Sequence, residues 1–191
     1  MTGSRSDIPE QAMQVLHFWF LELRPADWFD SSERLDSRIE RRFGPVLSDA
    51  VAGRLDDWAD TPQGLLALVI VLDQFSRNIH RGTARAFAQD KAAQGLVLRA
   101  LDAGWDDRLG MDERQFLYMP LMHAEDRDLQ ELAVGKYEAL VGSAQYVLDF
   151  AKRHRDIVQD YGRFPYRNEM LKRESTAEER EFIEEKGNPF A

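Results

Sequence analysis

The stretch LLALVIVLDQFSRNIHRG, residues 65–82, decides the fold class. Its first part, residues 65–72, is apolar on every side of a helix, which is typical of a helix that protein covers all round. Thr61 and Pro62 lie just upstream, in the order of a capping residue followed by the first helical position. We therefore expect this helix to lie at the centre of a helical protein.

Apolar residues at three-to-four spacing fill most of the remaining chain, and no segment has the alternation of a strand. The residues expected to start further helices are Asp7, Ser31 or Ser32, Asp90, Asp112, Asp126 and Thr176, the last in a capping box with Glu179. The expected interruptions are Arg24-Pro25, a kink or break at Gly44-Pro45, Gly142-Ser143 and Gly187. The sequence predicts an all-α fold of about eight helices, with residues 1–191 as one domain and helix pairs that suit an α-α superhelix.

The amino-acid composition and charge exclude or disfavour several classes of protein. With 43% hydrophobic and 31% charged residues, the chain is expected to be globular. The absence of cysteine excludes disulfides, thiolate metal sites and thiol nucleophiles. A net charge of −9 disfavours binding to nucleic acid or anionic lipid. Residues 65–72 are too few to cross a bilayer and the first ten residues lack a signal-peptide pattern, so we expect a cytoplasmic protein without membrane contact.

The polar end of the central helix is the first candidate site. Its side chains fall within an arc of about 140° at 100° per residue, and they are Asp73, Gln74, Arg77, Asn78 and Arg81. Asp73 with Arg77, and Gln74 with Asn78, are one turn apart and are expected to pair. In a structural interpretation, Arg77 and Asn78 bond carbonyls of the loop 81–90. In a functional interpretation, Arg77, Asn78 and Arg81 offer donors to a carboxylate or phosphate while Asp73 holds an arginine.

A second donor-rich stretch is YGRFPYRN, residues 161–168, where Gly and Pro interrupt the helical pattern. In a structural interpretation it is a turn with Phe164 and Tyr166 packed inward and its arginines solvated. In a functional interpretation Arg163 and Arg167 form the second wall of an anion site, with Asn168 orienting the ligand.

Two histidines are candidates for acid–base chemistry. His123 lies at the junction of two predicted helices, and His154 lies among apolar residues of a long helix. Each is equally consistent with a structural histidine bonded to a carbonyl or carboxylate. The histidines have none of the close metal-ligand spacings, and the chain has no nucleophile elbow, phosphate loop or dinucleotide fingerprint. We predict no metal site, and the sequence identifies no catalytic residue or cofactor.

Four segments together resemble the bacterial family known as domain of unknown function 924. They are VLHFWFLE near the start, DQFSRNIHRGTARAFAQD at 73–90, FLYMPLMHAED at 116–126 and GRFPYRNEMLKREST at 162–176. The resemblance implies a tetratricopeptide-like, α-α superhelical fold and no established activity. The family's motif residues correspond here to Asp73, Gln74, Arg77, Asn78, Arg81, Gly82, Thr83, Asp90, His123, Glu125, Asp126, His154, Arg163, Pro165, Arg167 and Asn168.

The chain departs from the family pattern at two positions. Tyr166 stands where related sequences often carry histidine, and Lys172 stands where they often carry glycine. A proton-transfer role at position 166 is therefore disfavoured, whereas the tyrosine hydroxyl could still donate a hydrogen bond.

Three functions remain open on the sequence alone. The leading hypothesis is a binding protein for a small anionic ligand or an acidic peptide group, held in an arginine-lined pocket to which both motifs contribute. The first alternative is an enzyme in which His123 or His154 acts as acid or base and arginines clamp the substrate. The second is an adaptor that binds protein partners. The sequence predicts no particular oligomeric state.

Overall fold

The structure is a computed structural model and describes residues 8–29, 32–140 and 145–189. These residues form helices, turns and loops, and contain no strand. They group into two compact units, the first within Met1–Arg81 and Arg85–Pro120 and the second within Gly82–Ala84 and Leu121–Ala191. The all-α prediction is confirmed, while the single-domain organisation and the tetratricopeptide-like arrangement stay predictions.

The helices follow one another closely along the chain. They are α1 Glu10–His17, α2 Glu33–Val51, α3 Pro62–Ile70, α4 Ser76–Ile79, α5 Asp90–Asp102, α6 Met111–Met122, α7 Arg127–Glu138, α8 Gln145–Tyr161 and α9 Ala177–Lys186. A π-helical turn at Phe18–Glu22 extends α1, and another at Val71–Phe75 joins α3 to α4. Since α3 and α4 form one continuous run, the described part of the chain contains the expected eight helices. None of them is both long and apolar enough to cross a bilayer.

The central position of α3 in the first unit is confirmed. The Thr61 hydroxyl accepts a hydrogen bond from the Gly64 amide at 3.1 Å, and Pro62 begins the helix. Residues 65–72 are at most 5% exposed. The helix packs against α1 and α5, and the π-helical turn that follows it packs against α2.

An aromatic core surrounds the two π-helical turns of this unit. The Phe43 and Phe75 rings stack with their centroids 4.8 Å apart, and the Trp19 ring meets Phe116 edge-on at 5.3 Å. Phe18 lies against both Phe43 and Phe75. Such ring contacts add to the stabilisation from burial. They hold in place the π-helical turn from which the polar end of the central helix extends.

Most predicted helix starts that lie within the described residues are confirmed. Side chains of Ser32, Asp126 and Thr176 cap α2, α7 and α9, and Thr176 forms the predicted capping box with Glu179. Residues 7, 31, 142 and 143, at which two starts and an interruption were expected, lie outside the described residues.

Three local predictions are wrong. Asp90 is the first residue of α5 and not its cap, because its carboxylate is bonded to Arg77. Asp112 does not cap α6, which already begins at Met111; the Glu113 carboxylate accepts from the Gly110 amide instead. At Gly44-Pro45, where a kink or break was expected, the break is absent, because α2 continues to Val51 and tertiary packing outweighs the hydrogen bond lost at Pro45. A kink there stays a prediction.

The second unit is built on α7 and α8, which pack along each other. Ile157, Val158 and Phe164 form a buried cluster, against which Tyr161, Tyr166 and Phe182 pack. A short 3₁₀ turn, Pro165–Arg167, lies against α9. The polar residues of this turn are therefore packed against other parts of the unit and are withdrawn from solvent.

Candidate functional site

Arg77, at the polar end of the central helix, lies between two carboxylates. Its Nε is 3.3 Å from Asp73 Oδ1, as predicted, and its Nη2 is 2.8 Å from Asp90 Oδ1. Asp73 is 1% exposed. Burial tends to lower the pKa of Arg77, but the charges of Asp73 and Asp90 outweigh it and raise that pKa. Arg77 is therefore fully charged and already compensated within the protein.

The next two donors converge on one carboxylate that the sequence did not single out. Asn78 Nδ2 donates to Asp36 Oδ1 at 2.8 Å, and Arg81 donates to both Asp36 oxygens at 2.6 and 2.8 Å. Burial tends to raise the pKa of Asp36, but the hydrogen bonds from Arg81 and Asn78 lower it overall. Asp36 lies on α2, more than 40 residues away in sequence, so no local pattern predicted the contact.

The expected pairing of Gln74 with Asn78 is wrong. Gln74 Nε2 donates to Asp73 Oδ2 at 2.5 Å, while Asn78 is turned towards Asp36. Asn78 is instead held by the Asp36 carboxylate on α2, a tertiary contact that the one-turn spacing does not predict.

The loop after α4 is anchored, but not as the structural interpretation expected. Arg77 reaches the Asp90 side chain at the far end of the loop, and Asn78 turns to α2, so neither donor serves as the predicted carbonyl clamp. Ser76 makes the carbonyl contact, donating from Oγ to Arg85 O at 3.3 Å. Thr83, within this loop, is exposed.

A groove of about 260 Å³ lies beside Arg81. Its lining residues are Glu33, Asp36, Ser37, Glu40, Asn78, Ile79 and Arg81. Three carboxylates and one guanidinium give it negative charge, which repels an anion. The charge balance thus argues against an anion site at this end of the helix.

The second donor-rich stretch contributes to what we call the arginine cluster, which comprises Glu125, Arg163, Arg167, Asn168, Arg173 and Glu179. Arg163 and Glu179 form a bidentate pair, with Nε to Oε1 at 2.6 Å and Nη2 to Oε2 at 2.7 Å. Hydrogen bonds from Arg163 outweigh the effect of burial and lower the pKa of Glu179 to about 2. The pair fixes the stretch to the start of α9.

Glu125 and Arg173 form the second bidentate pair. Arg173 Nη1 and Nη2 lie 2.6 and 3.1 Å from the Glu125 oxygens, and the Phe164 amide donates to Glu125 Oε1 at 3.2 Å. Burial tends to raise the pKa of Glu125, but Arg173 and then Arg167 lower it overall. Asn168, 1% exposed, connects the two pairs by accepting from Arg173 and donating to Glu179.

Arg167 is placed differently from the other two arginines. It is 5% exposed, and its guanidinium lies 4.3 Å from the centre of the Phe164 ring. Its Nη1 is 3.5 Å from the His123 carbonyl oxygen and 3.9 Å from Glu125 Oε1. That carboxylate is shared with Arg173, which binds it at shorter distance. Arg167 therefore lies farther from the Glu125 carboxylate than Arg173 does.

Both candidate histidines lie next to this arginine. His154 is 6% exposed and its Nδ1 is 2.8 Å from the Phe150 carbonyl oxygen, the backbone contact that the structural interpretation expected. The His154 ring meets the Phe164 ring edge-on at 5.5 Å and lies 6.1 Å from the His123 ring. His123 is partly exposed. Arg167 and the His154 ring thus both contact Phe164, and the His123 ring lies near that of His154.

The structural interpretation of residues 161–168 is right for the aromatic residues and wrong for the arginines. Phe164 is fully buried and Tyr166 partly buried, as expected, but Arg167 is buried and Arg163 is paired with Glu179. Arg173 and Glu179 were not predicted as site residues. The capping box marked Glu179 as a helix start, and nothing local marked Arg173, whose partner Glu125 is 48 residues away.

Within the described ranges, no group of three or more His, Asp or Glu side chains has an arrangement that could hold a metal ion. The pocket expected to combine the two donor-rich motifs stays a prediction, as does the assignment of the individual site residues.

Comparison with known proteins supports the resemblance. A family described as "Bacterial protein of unknown function (DUF924)" matches residues 15–187. The chain belongs to this family. A solved structure of the protein of unknown function ATU0120 from Agrobacterium tumefaciens is 39% identical, with a TM-score of 0.85, and the match covers 92% of this chain and 97% of that one. No curated protein matches the chain. The family and its solved member therefore establish ancestry and fold, and name no reaction or ligand.

Proposed function

We propose that the protein binds a small anionic ligand at the arginine cluster of the second unit. The observation that carries the proposal is the charge balance, because three guanidinium groups accompany two carboxylates. Glu179 neutralises Arg163 and Glu125 neutralises Arg173, each in a bidentate pair. The guanidinium of buried Arg167 lies 3.9 Å from the same Glu125 carboxylate, so three guanidinium groups and two carboxylates share one cluster.

A buried charge is costly unless a counter-charge and hydrogen bonds compensate for it. Arg167 shares Glu125 at 3.9 Å, and its contact with the His123 carbonyl is at the limit of a hydrogen bond. A carboxylate or phosphate oxygen at Arg167 could bind the planar guanidinium through two bonds. Phe164 would form the apolar side of the site.

The polar end of the central helix takes a structural role in this proposal. Two carboxylates compensate Arg77, and Asp36 compensates Arg81. The anionic ligand expected for both motifs is thus assigned to the second one alone. Residence in the cytoplasm and a lack of nucleic-acid binding stay predictions.

An enzymatic role is the second hypothesis, and the proximity of His123 and His154 favours it. Their rings lie 6.1 Å apart beside the proposed ligand position, so either could exchange a proton with a bound anion. Replacing each histidine with glutamine should then abolish turnover of a substrate while leaving its binding intact. A role as an adaptor for protein partners also stays a prediction.

The test is native mass spectrometry of freshly purified protein, followed by a thermal-shift screen of small anions. A ligand that binds the folded state raises the melting temperature. We expect Arg167→Met to remove that shift. Arg153→Met is the matched control, because Arg153 also lies 4.3 Å over a phenylalanine ring, Phe150, but is exposed. Equal shifts in both variants would contradict the proposal.

A further inference from the structure

One exposed side of α2 is formed by arginines. At about 100° per residue, four exposed guanidinium groups fall within one third of the helix circumference, and we call them the arginine face: Arg34, Arg38, Arg41 and Arg42. Arg38 and Arg42 both bind the Glu22 carboxylate, at 2.5 and 2.7 Å. Arg34 and Arg41 form no ion pair with any residue in the ranges 8–29, 32–140 and 145–189. The acidic residues of α2 that line the groove beside Arg81 lie towards the other edge of the helix.

One exposed side of α9 is formed by glutamates. Four exposed carboxylates fall within an arc of about 120°, and we call them the glutamate face: Glu178, Glu181, Glu184 and Glu185. Glu185 contacts Lys186 beside it, and buried Glu179 lies on the other side of the helix, bound to Arg163. The helix therefore uses one glutamate within its own unit and exposes four.

The two faces match in spacing when the helices run antiparallel. Arg34, Arg38 and Arg41 are separated by about 6 and then about 4.5 Å along the axis, at a rise of about 1.5 Å per residue. Read from the C-terminal end of α9, three glutamates follow at the same intervals: Glu185, Glu181 and Glu178. An α9 helix laid antiparallel on α2 would bring three arginine–glutamate pairs into register.

The net charge of the chain restricts where a second copy can approach. Two molecules with a net charge of −9 repel each other at long range. Close contact between them requires that a positive surface of one faces a negative surface of the other. Such complementary surfaces guide the encounter and fix the register of the contact.

We propose that the arginine face of α2 binds the glutamate face of α9 in a second copy of this chain. Exposed ion pairs are individually weak and are screened by salt, so the association is weak and is strongest at low ionic strength. Leu21, 74% exposed, precedes Glu22 in sequence and gives the arginine face an apolar edge. The proposal does not depend on the anion-binding function.

Sedimentation velocity at increasing protein concentration, in about 50 and about 500 mM salt, tests the association. We expect the wild type to self-associate at low salt and to be monomeric at high salt. The arginine-face reversal, Arg34→Glu with Arg38→Glu and Arg41→Glu, should weaken association at least tenfold.

The matched control reverses three exposed cations elsewhere, Arg85→Glu, Lys91→Glu and Arg108→Glu, and makes the same change in net charge. It should weaken association much less than the arginine-face reversal does. Equal losses in the two variants, or a wild type that is monomeric at low salt, would overturn the proposal.

Reversal of the glutamate face separates a specific contact from general repulsion. Glu178→Arg with Glu181→Arg and Glu185→Arg should weaken association, although these changes reduce the net negative charge and with it the repulsion between copies. A chain with both reversals has the wild-type net charge and exchanges the two faces, so association should return. Stronger association of the glutamate-face reversal alone, or a folded double reversal that stays monomeric, would overturn the proposal.

A measurement on the unaltered protein covers the case in which the reversed variants fail to fold. Amide ¹H–¹⁵N NMR shifts of residues 34–41 and 178–185 should change together with protein concentration, and the change should disappear at high salt. Concentration-dependent shifts confined to other residues, or shifts that persist at high salt, would overturn the inference.

Discussion

Arg77 and Arg167 are both largely withdrawn from solvent, yet their surroundings differ in charge. Arg77 contacts two carboxylates, so a protein lacking its guanidinium would keep two buried negative charges without this counter-charge. Arg167 shares one carboxylate with Arg173. Removing a partner from a compensated pair costs stability, whereas replacing an under-compensated buried charge with an apolar group is often neutral or favourable.

Arg77→Met should therefore lower the free energy of unfolding by roughly 3–5 kcal/mol, because it leaves Asp73 buried and uncompensated. Urea denaturation at pH 7 measures the loss. Arg167→Met, the matched variant, should change the free energy of unfolding by less than about 1 kcal/mol. A small loss for Arg77→Met would show that its ion pairs do not anchor the helix end.

Glu179 should make stability depend on pH in the acid range. Its pKa is about 2 in the folded protein and 4.5 ordinarily, so its ion pair with Arg163 stabilises the fold above pH 4.5, and this contribution is lost as the pH falls towards 2. Glu179→Gln should remove roughly 3 kcal/mol at pH 7 and little at pH 2. Denaturation at pH values between 2 and 7 measures this change in the free energy of unfolding. The exposed Glu181→Gln serves as control, and a pH profile identical to that of Glu179→Gln would refute the assignment.

The backbone at Lys172 has a conformation that favours glycine. Its φ is 54°, in the left-handed region that costs a residue with a side chain roughly 1 kcal/mol. Lys172→Gly should raise the free energy of unfolding by about 0.5–1 kcal/mol, whereas Lys172→Ala should give no gain. Thermal denaturation of both variants measures the difference, and an equal effect of the two would contradict this backbone explanation.

At the residue scale, the sequence predicted contacts that lie within one turn and missed those between distant elements. The Asp73–Arg77 pair and the Thr176–Glu179 box were predicted because their spacing alone brings the groups together. The partners of Arg81 and Arg173 are 45 and 48 residues away, so only tertiary packing identifies them. Arg163, Arg167 and Glu125 of the candidate site were predicted, but Arg173 and Glu179, which pair with Glu125 and Arg163, were not.

At the scale of the element, the start of α3 depends on a close approach that only glycine permits. A Cβ atom on Gly64 would lie 2.2 Å from the Trp58 carbonyl oxygen and 2.8 Å from Thr61 Oγ1. The backbone of the preceding turn would have to move, and with it the Thr61 cap. The sequence predicted this cap and not the contact that makes Gly64 necessary.

Gly64→Ala should therefore destabilise the protein by about 1–3 kcal/mol, although alanine favours a helix. Gly95→Ala is the matched control, since Gly95 is exposed within α5 and a Cβ there meets nothing within 4 Å. The free energy of unfolding of this control variant should rise by up to about 1 kcal/mol. The midpoints of urea denaturation give both values, and a gain in both variants would contradict the close approach.

Helix starts and the central helix were predictable because capping side chains and all-round apolarity are local signals. The π-helical turns at Phe18–Glu22 and Val71–Phe75 were not, since the sequence there reads as ordinary helix. A π-helical turn is stabilised by the packing around it, here the aromatic core of the first unit.

At the scale of the whole molecule, a chain with a net charge of −9 brings three guanidinium groups and two carboxylates together in the arginine cluster. The acidic exterior lowers the attraction for large polyanions, and the cluster supplies a local site for a small one. Charge compensation thus connects the arginines of the second unit to the proposed function, and it is the central claim of this account.

The most direct test measures the free energy of unfolding at increasing acetate concentration and constant ionic strength, for the wild type and Arg167→Met. A ligand that binds only the folded state stabilises it by about 1.4 kcal/mol for each tenfold increase above its Kd. We predict this rise in the wild type and no rise in Arg167→Met. Parallel rises in the two proteins, or none in either, would contradict an anion site at Arg167.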